Sequence, residues 1–155
     1  LDHPAADASP FGKVVSQRAH DGGGLLTWVL SVSDIKTFEN RLGRESVDGH
    51  RRRPDGSDLN WKQIGVLGTL EDRQLPFFIE WLTNDHPSKE AKAVAKIEKL
   101  EIAGDPERVR EWIGEDFESA FAGIALEWVD PAENSGETGI FAVHFATPNG
   151  TFRLD

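Results

Sequence analysis

The chain has 155 residues, a net charge of −10 and an apolar fraction of 38%, with a sequence pI near 4.9. That length suits one domain or two very small ones and can bury a sizeable core, while the acidic surface disfavours nucleic-acid backbones and anionic membranes as partners, and no apolar run approaches the ~20 residues of a membrane span. The absence of cysteine excludes a disulfide framework, a cysteine-ligated zinc and a thiol nucleophile, and with no apolar signal-peptide core near Leu1 the expected compartment is the cytoplasm.

Residues 1–22 read as an entry segment. Ser9-Pro10 offers an N-cap followed by proline at the first helical position, which predicts a short helix to about Ala19. Gly22-Gly23-Gly24 stops it. Leu25 to Val32 is rich in β-branched and large apolar residues and predicts a strand. Asp34 caps the next helix, whose apolar face is Ile35, Phe38 and Leu42; Gly43 ends it. Two extended runs, 45–53 and 57–64, flank Pro54-Asp55-Gly56, a turn with a cause, since glycine accepts positive φ. Leu75 to Leu82 predicts a further strand. Residues 86–93 form a polar connector with a short helix expected over 88–93.

The order then begins again. Lys96 to Ile102 reads as a strand. Asp105-Pro106 starts a helix with Val109, Trp112 and Ile113 on its apolar face, and Gly114 closes it. Strands are expected over 124–129, 140–146 and 151–154, with Pro148-Asn149-Gly150 as the turn between the last two. Asp105 and Gly114 bracket the second helix as Asp34 and Gly43 bracket the first. The reading is an internal repeat of two β-α-β-β-β units, 23–90 and 91–155, in an α+β fold. By this repeat Glu80 and Arg153 hold matching places in the two last strands.

Tandem β-α-β-β-β units resemble the vicinal oxygen chelate superfamily, which includes glyoxalase I, extradiol dioxygenases, fosfomycin-resistance enzymes and bleomycin-binding proteins. More closely, the chain resembles the glyoxalase-like domain proteins of bacteria. The resemblance rests on Ser9-Pro10-Phe11-Gly12, Leu25 to Ile35, Arg53-Pro54-Asp55-Gly56 followed by Trp61, Pro76 to Trp81, Gly104-Asp105-Pro106, and Thr147-Pro148-Asn149-Gly150. It covers roughly residues 9 to 155. It implies a curved, mixed-sheet cup. It also implies that a further histidine- and glutamate-bearing unit precedes the Ser-Pro-Phe-Gly segment, so that this chain would be a piece completed by such a unit or by a second copy in a homodimer.

In that superfamily the metal-dependent members take His or Gln from the first strand of a unit and Glu from its last. The metal, one of Zn, Fe, Mn, Ni or Mg, polarises vicinal oxygens on the substrate. Carried over position by position, the last-strand glutamate falls on Glu80, and the first-strand ligand falls on Thr27, a poor donor. In the second unit the positions fall on Glu98, or Ile97 with a residue of slack, and on Arg153. Arginine repels a cation. It serves instead to bind an anionic ligand or to pair with Glu80 or Glu98.

His144 stands among apolar residues in a strand, where core packing and a pocket role are both open. His3, His20, His50 and His86 carry no assigned role. Arg51-Arg52-Arg53 is expected to pair with Asp48, Asp55 and Asp58. Trp28, Trp61, Trp81 and Trp128 lie on strand candidates and are either core or the lining of a cup that favours flat or apolar ligands. The functional expectation is therefore a domain acting on or binding a small oxygenated molecule, by metal-dependent lyase, isomerase or dioxygenase chemistry. The alternatives are a metal-free module that sequesters a small molecule, and a structural half of a larger protein.

Overall fold

The structure, a computed structural model, describes residues 9–83 and 94–155. The expected connector helix over 88–93, His86 and His3 lie outside the described residues. In chain order the elements are α1 (Pro10–His20), β1 (Val29–Ser31), α2 (Ile35–Leu42), β2 (Val47–Arg52), β3 (Asp58–Ile64), α3 (Gly68–Glu71), β4 (Phe77–Trp81), β5 (Lys96–Ala103), α4 (Pro106–Ile113), α5 (Phe117–Ala120), β6 (Ala125–Val129), β7 (Gly139–Thr147) and β8 (Gly150–Leu154). The fold is α+β, with two mixed four-stranded sheets. Among the described residues no helix is long and apolar enough to cross a membrane.

Local signals set most boundaries. The Ser9 hydroxyl accepts from the amide of Gly12 and Pro10 follows it, starting α1. Asp34 accepts from the amide of Lys36, and Gly43, at φ 61°, closes α2 in the left-handed region. Asp105 caps α4 through the amide of Glu107. These caps satisfy amides that the first helical turn leaves without partners. In the β2–β3 hairpin, Asp55 accepts from both the amide and the hydroxyl of Ser57. The strand expected over 25–32 is shorter than its composition suggested: only Val29–Ser31 pairs, with β4.

The two sheets share the order of elements along the chain and differ in the order of strands. The first runs β1-β4-β3-β2, with β1 an edge strand parallel to β4. The second runs β6-β5-β7-β8, with β5 inside the sheet, parallel to β6 and antiparallel to β7. The internal repeat therefore extends to the sequence of elements and not to their pairing. Glu80 lies on an inner strand and Arg153 on an edge strand, so the two do not occupy equivalent places.

The described chain forms two compact units. One comprises residues 29–66 and 76–83 and holds the first sheet; the other comprises 9–28, 67–75 and 94–155 and holds the second. These limits are not those of the sequence division into 23–90 and 91–155. The reason is in residues 72–74. Asp72 accepts from Arg108, Arg73 pairs with Glu137 at 2.7 Å, and Gln74 Oε1 accepts from the amide of Asp105 at 2.7 Å. Gly104 permits the last contact, since a Cβ there would come within 2.4 Å of Gln74 Oε1.

The core of the first sheet gathers Ile35, Phe38, Leu59, Ile64 and Phe78, all buried. In the second unit Leu100, Ile102, Val109, Ile113, Phe117 and Phe121 are buried.

Candidate functional site

Strand alternation decides which side chains share a face. On β4, Phe78 stacks on Phe38 of α2 with ring centroids 4.0 Å apart. Glu80, two residues on, therefore also faces α2, and its Oε2 accepts from the amide of Ile35 at 3.0 Å. Glu80 thus satisfies the first amide of α2 and sits at the positive end of that helix. Glu80→Ala should cost about 1 kcal/mol, as loss of a helix cap does, measured as a lowered urea midpoint; an unchanged midpoint would remove Glu80 from this role.

On the opposite face of the first sheet, Trp61 and Trp81 face each other in register with centroids 5.6 Å apart. Trp61 Nε1 donates to Gln63 Oε1, and its ring lies over Gly49, where a Cβ would be 2.1 Å from the indole. Trp28 falls outside the first sheet. It precedes β1, donates to the carbonyl of Gln74 and packs on Phe121, all within the unit that holds the second sheet. Trp128 lies on the α4 side of the second sheet, where it lines a cavity of about 310 Å³ with Arg110, Phe117, Phe121 and Leu126.

The chemistry is concentrated on the other side of that second sheet. Trp128 and Leu126 pair in register with Ile102 and Leu100 and share the α4 face. Glu101 and Lys99 of β5 therefore point away from α4, as does Glu127, the in-register neighbour of Glu101. From β7 and β8, His144 and Arg153 meet in register beside them.

Glu101 is the centre of this cluster, with only 8% of its surface exposed. Arg153 Nη2 donates to its Oε2 at 2.9 Å, and His144 Nε2 lies 2.5 Å from its Oε1. The Lys99 ammonium stands 3.5 Å from Oε1 and also pairs with Glu127. The hydrogen bond from Arg153, then that from His144, holds the Glu101 carboxyl down at about 2, against the opposing effect of burial. Arg153 is correspondingly raised by Glu101 and then Asp155. An ionised carboxylate only accepts, so His144 Nε2 is the donor, and neutral imidazole presents Nδ1 as an acceptor.

Two register slips shape the same face. Ile97 pairs with Phe145 and Lys99 with His144, so Glu98 has no facing residue on β7; Glu101 pairs with Ala142 and Ile102 with Ile140, so Phe141 has none on β5. Such bulges re-aim side chains. The Arg153 guanidinium lies 5.3 Å from the Phe141 ring centroid, which brings that ring to the cluster. Glu98 is exposed and accepts from the Thr151 hydroxyl at 3.4 Å.

The sequence expectation thus named His144 and Arg153, which the structure brings together, and missed Glu101, which joins them. Glu80 belongs to the first sheet, and Glu98 bonds to Thr151 rather than to Glu101, His144 or Arg153. Of the acids beside the basic run, Asp48 pairs with Lys62 and Asp58 with His50, while Asp55 bonds to Ser57 and is lowered further by Arg53.

Residues 2–117 match the family profile of the glyoxalase-like domain. The chain belongs to that family. No curated protein and no solved structure gave a match. The matched segment contains Glu80, Glu98 and Glu101, and ends before His144 and Arg153.

The superfamily resemblance implies a divalent metal, which would need several oxygen or imidazole donors around one point. Among the described residues no group of three or more His, Asp or Glu side chains is placed to hold one. Glu80 is engaged by a helix amide, and the Thr27 hydroxyl is buried without a partner but is a poor donor. At Glu101 and His144 a carboxylate and an imidazole do meet. Arg153 and Lys99 already supply positive charge to that carboxylate, and a cation added there would be repelled. These residues do not fit a metal at this cluster.

Proposed function

We propose that this glyoxalase-like chain binds a small oxygenated molecule at the Glu101–His144–Arg153 cluster, using protein groups in place of a metal. The observation that carries the reading is a buried carboxylate bonded at once to a guanidinium and an imidazole on one sheet face. Glu101 fixes the imidazole tautomer, leaving Nδ1 to accept from a ligand hydroxyl. Arg153 N–H groups not used by Glu101 and Asp155 would meet a carbonyl or carboxylate oxygen, and Phe141 would supply an apolar wall beside it.

The test is calorimetric titration of mandelate, an aromatic 2-hydroxy acid, in the presence of EDTA. Binding should persist with the chelator and weaken more than tenfold in His144→Ala. Binding that requires added divalent metal, or that ignores the His144 substitution, would overturn the reading.

The same dyad favours an enzymatic form of this function. A base oriented by a carboxylate is suited to removing a proton from carbon next to a carbonyl. His144 Nδ1 would take that proton, Arg153 would stabilise the enolate oxygen, and the imidazolium, after exchange with solvent, would return a proton to the same carbon. Deuterium from D₂O should then enter hydroxyacetone in the presence of the protein and not with His144→Ala. No exchange above the buffer rate would leave a binding module.

A further inference from the structure

A second, separate feature lies in the same unit, between α1, residues 25–26, Arg73 and the 134–140 segment. Two adjoining cavities, of about 490 and 290 Å³, share Arg18, Leu26, Arg73 and Glu137 in their walls. Lys13 of α1 lines the larger one. In a chain of net charge −10, the three cations of this cleft, Lys13, Arg18 and Arg73, outnumber its two acids, Asp21 and Glu137.

The two arginines differ in a way that matters. Arg73 is paired with Glu137 at 2.7 Å and rests against Gly139, where a Cβ would be 3.1 Å from its own Cβ. Arg18 has no ion pair among the described residues. Its Nε is buried with no hydrogen-bond partner, and a guanidinium nitrogen lies 2.9 Å from where a Cβ on Gly24 would stand. Gly24 has φ +96°, so both its backbone and its missing side chain suit that approach. The carboxylates at the cleft are engaged elsewhere: Asp21 accepts from Gln17, and Glu137 accepts from Arg73. Arg18 is half-buried, and a buried nitrogen left without a hydrogen bond is costly to maintain. The last turn of α1 offers it the negative end of a helix dipole but no hydrogen bond.

We infer that this cleft binds a small organic carboxylate, its head bonded by Arg18 with Lys13 and Arg73 nearby, and its apolar body against Val14, Leu26 and Ile140. The guanidinium fork matches a carboxylate in two parallel hydrogen bonds. The apolar walls select an organic anion over an inorganic one.

The experiment uses the full chain with octanoate as probe and inorganic phosphate as comparison, read by calorimetric titration and by thermal unfolding. Octanoate should bind, raise the midpoint of unfolding and weaken with added salt. Phosphate should bind at least tenfold more weakly; equal binding would overturn the assignment to an organic carboxylate. Arg18→Gln should weaken octanoate binding more than tenfold. It should also leave the unfolding midpoint of the ligand-free chain unchanged or raised, because it removes a buried Nε that has no hydrogen-bond partner. A purely structural arginine would give the reverse, a lowered midpoint with octanoate binding unaltered. Lys13→Gln, on the exposed side of α1, provides a second variant that leaves the fold alone, with an expected severalfold loss. No octanoate binding by the unsubstituted chain, or equal binding by both variants, would overturn the inference.

Discussion

Arg153→Leu should destabilise the chain by about 1.5–3 kcal/mol, the worth of a hydrogen bond to a charged group, because it takes the chief partner from a buried carboxylate and leaves it only His144 and Lys99. Glu101 is the group left behind, and Arg153 is the largest cause of its lowered pKa. The double variant Glu101→Met/Arg153→Leu should recover much of that loss, since removing both charges leaves no under-compensated buried carboxylate. Urea unfolding of the four proteins at pH 7 measures the coupling. Additivity within about 0.5 kcal/mol would show that the pair contributes no mutual stabilisation.

The same pair sets an acid limit. Glu101 falls from 4.5 to about 2 in the folded chain, a shift worth about 3 kcal/mol. A depressed carboxyl contributes its stability fully above its unfolded value. That contribution is lost as the pH drops from about 4.5 towards 2. In Arg153→Leu the carboxyl titrates nearer its ordinary value, so stability should fall less steeply across that window.

The way Glu101 escaped the sequence reading shows what a sequence carries. Caps and tight turns are local, and Ser9-Pro10, Asp34 with Gly43, Asp105-Pro106 and Pro54-Asp55-Gly56 all mark real boundaries. The alternation along β5 also placed Lys99 and Glu101 on one face. What it lacked was pairing order. Carrying positions from the first unit to the second assumed equivalent strands, yet β1 is an edge and β5 is flanked on both sides. The transfer therefore landed on Glu98, at a register slip, in place of Glu101. An isolated carboxylate in an apolar strand needs a partner. That holds for Glu80, whose partner is a helix amide, and equally for Glu101, whose partners arrive from strands more than forty residues later. The family match is consistent with this limit: it covers the elements up to Phe117 and none of β7 or β8.

Phe78→Ala should be the most damaging single truncation in the first sheet, at about 3–5 kcal/mol. Phe78 is fully buried, it lies in register between Leu30 and Ile64, and its ring stacks on Phe38. The loss combines a cavity with a broken aromatic pair. Phe78→Leu keeps most of the volume and should cost about half as much. The indole signals separate the consequences by unit. Trp61 and Trp81 belong to the first sheet, and Trp28, Trp112 and Trp128 to the other unit. In Phe78→Ala the Trp61 and Trp81 resonances should lose dispersion at lower urea than the other three. A single shared midpoint would mean that the two compact units unfold as one. Mandelate binding gives the functional counterpart. Glu101, His144 and Arg153 all lie in the second sheet, so Phe78→Ala should retain that binding at urea concentrations where its first sheet has already opened. Loss of mandelate binding together with the Trp61 and Trp81 signals would show that the cluster depends on the first sheet for its geometry.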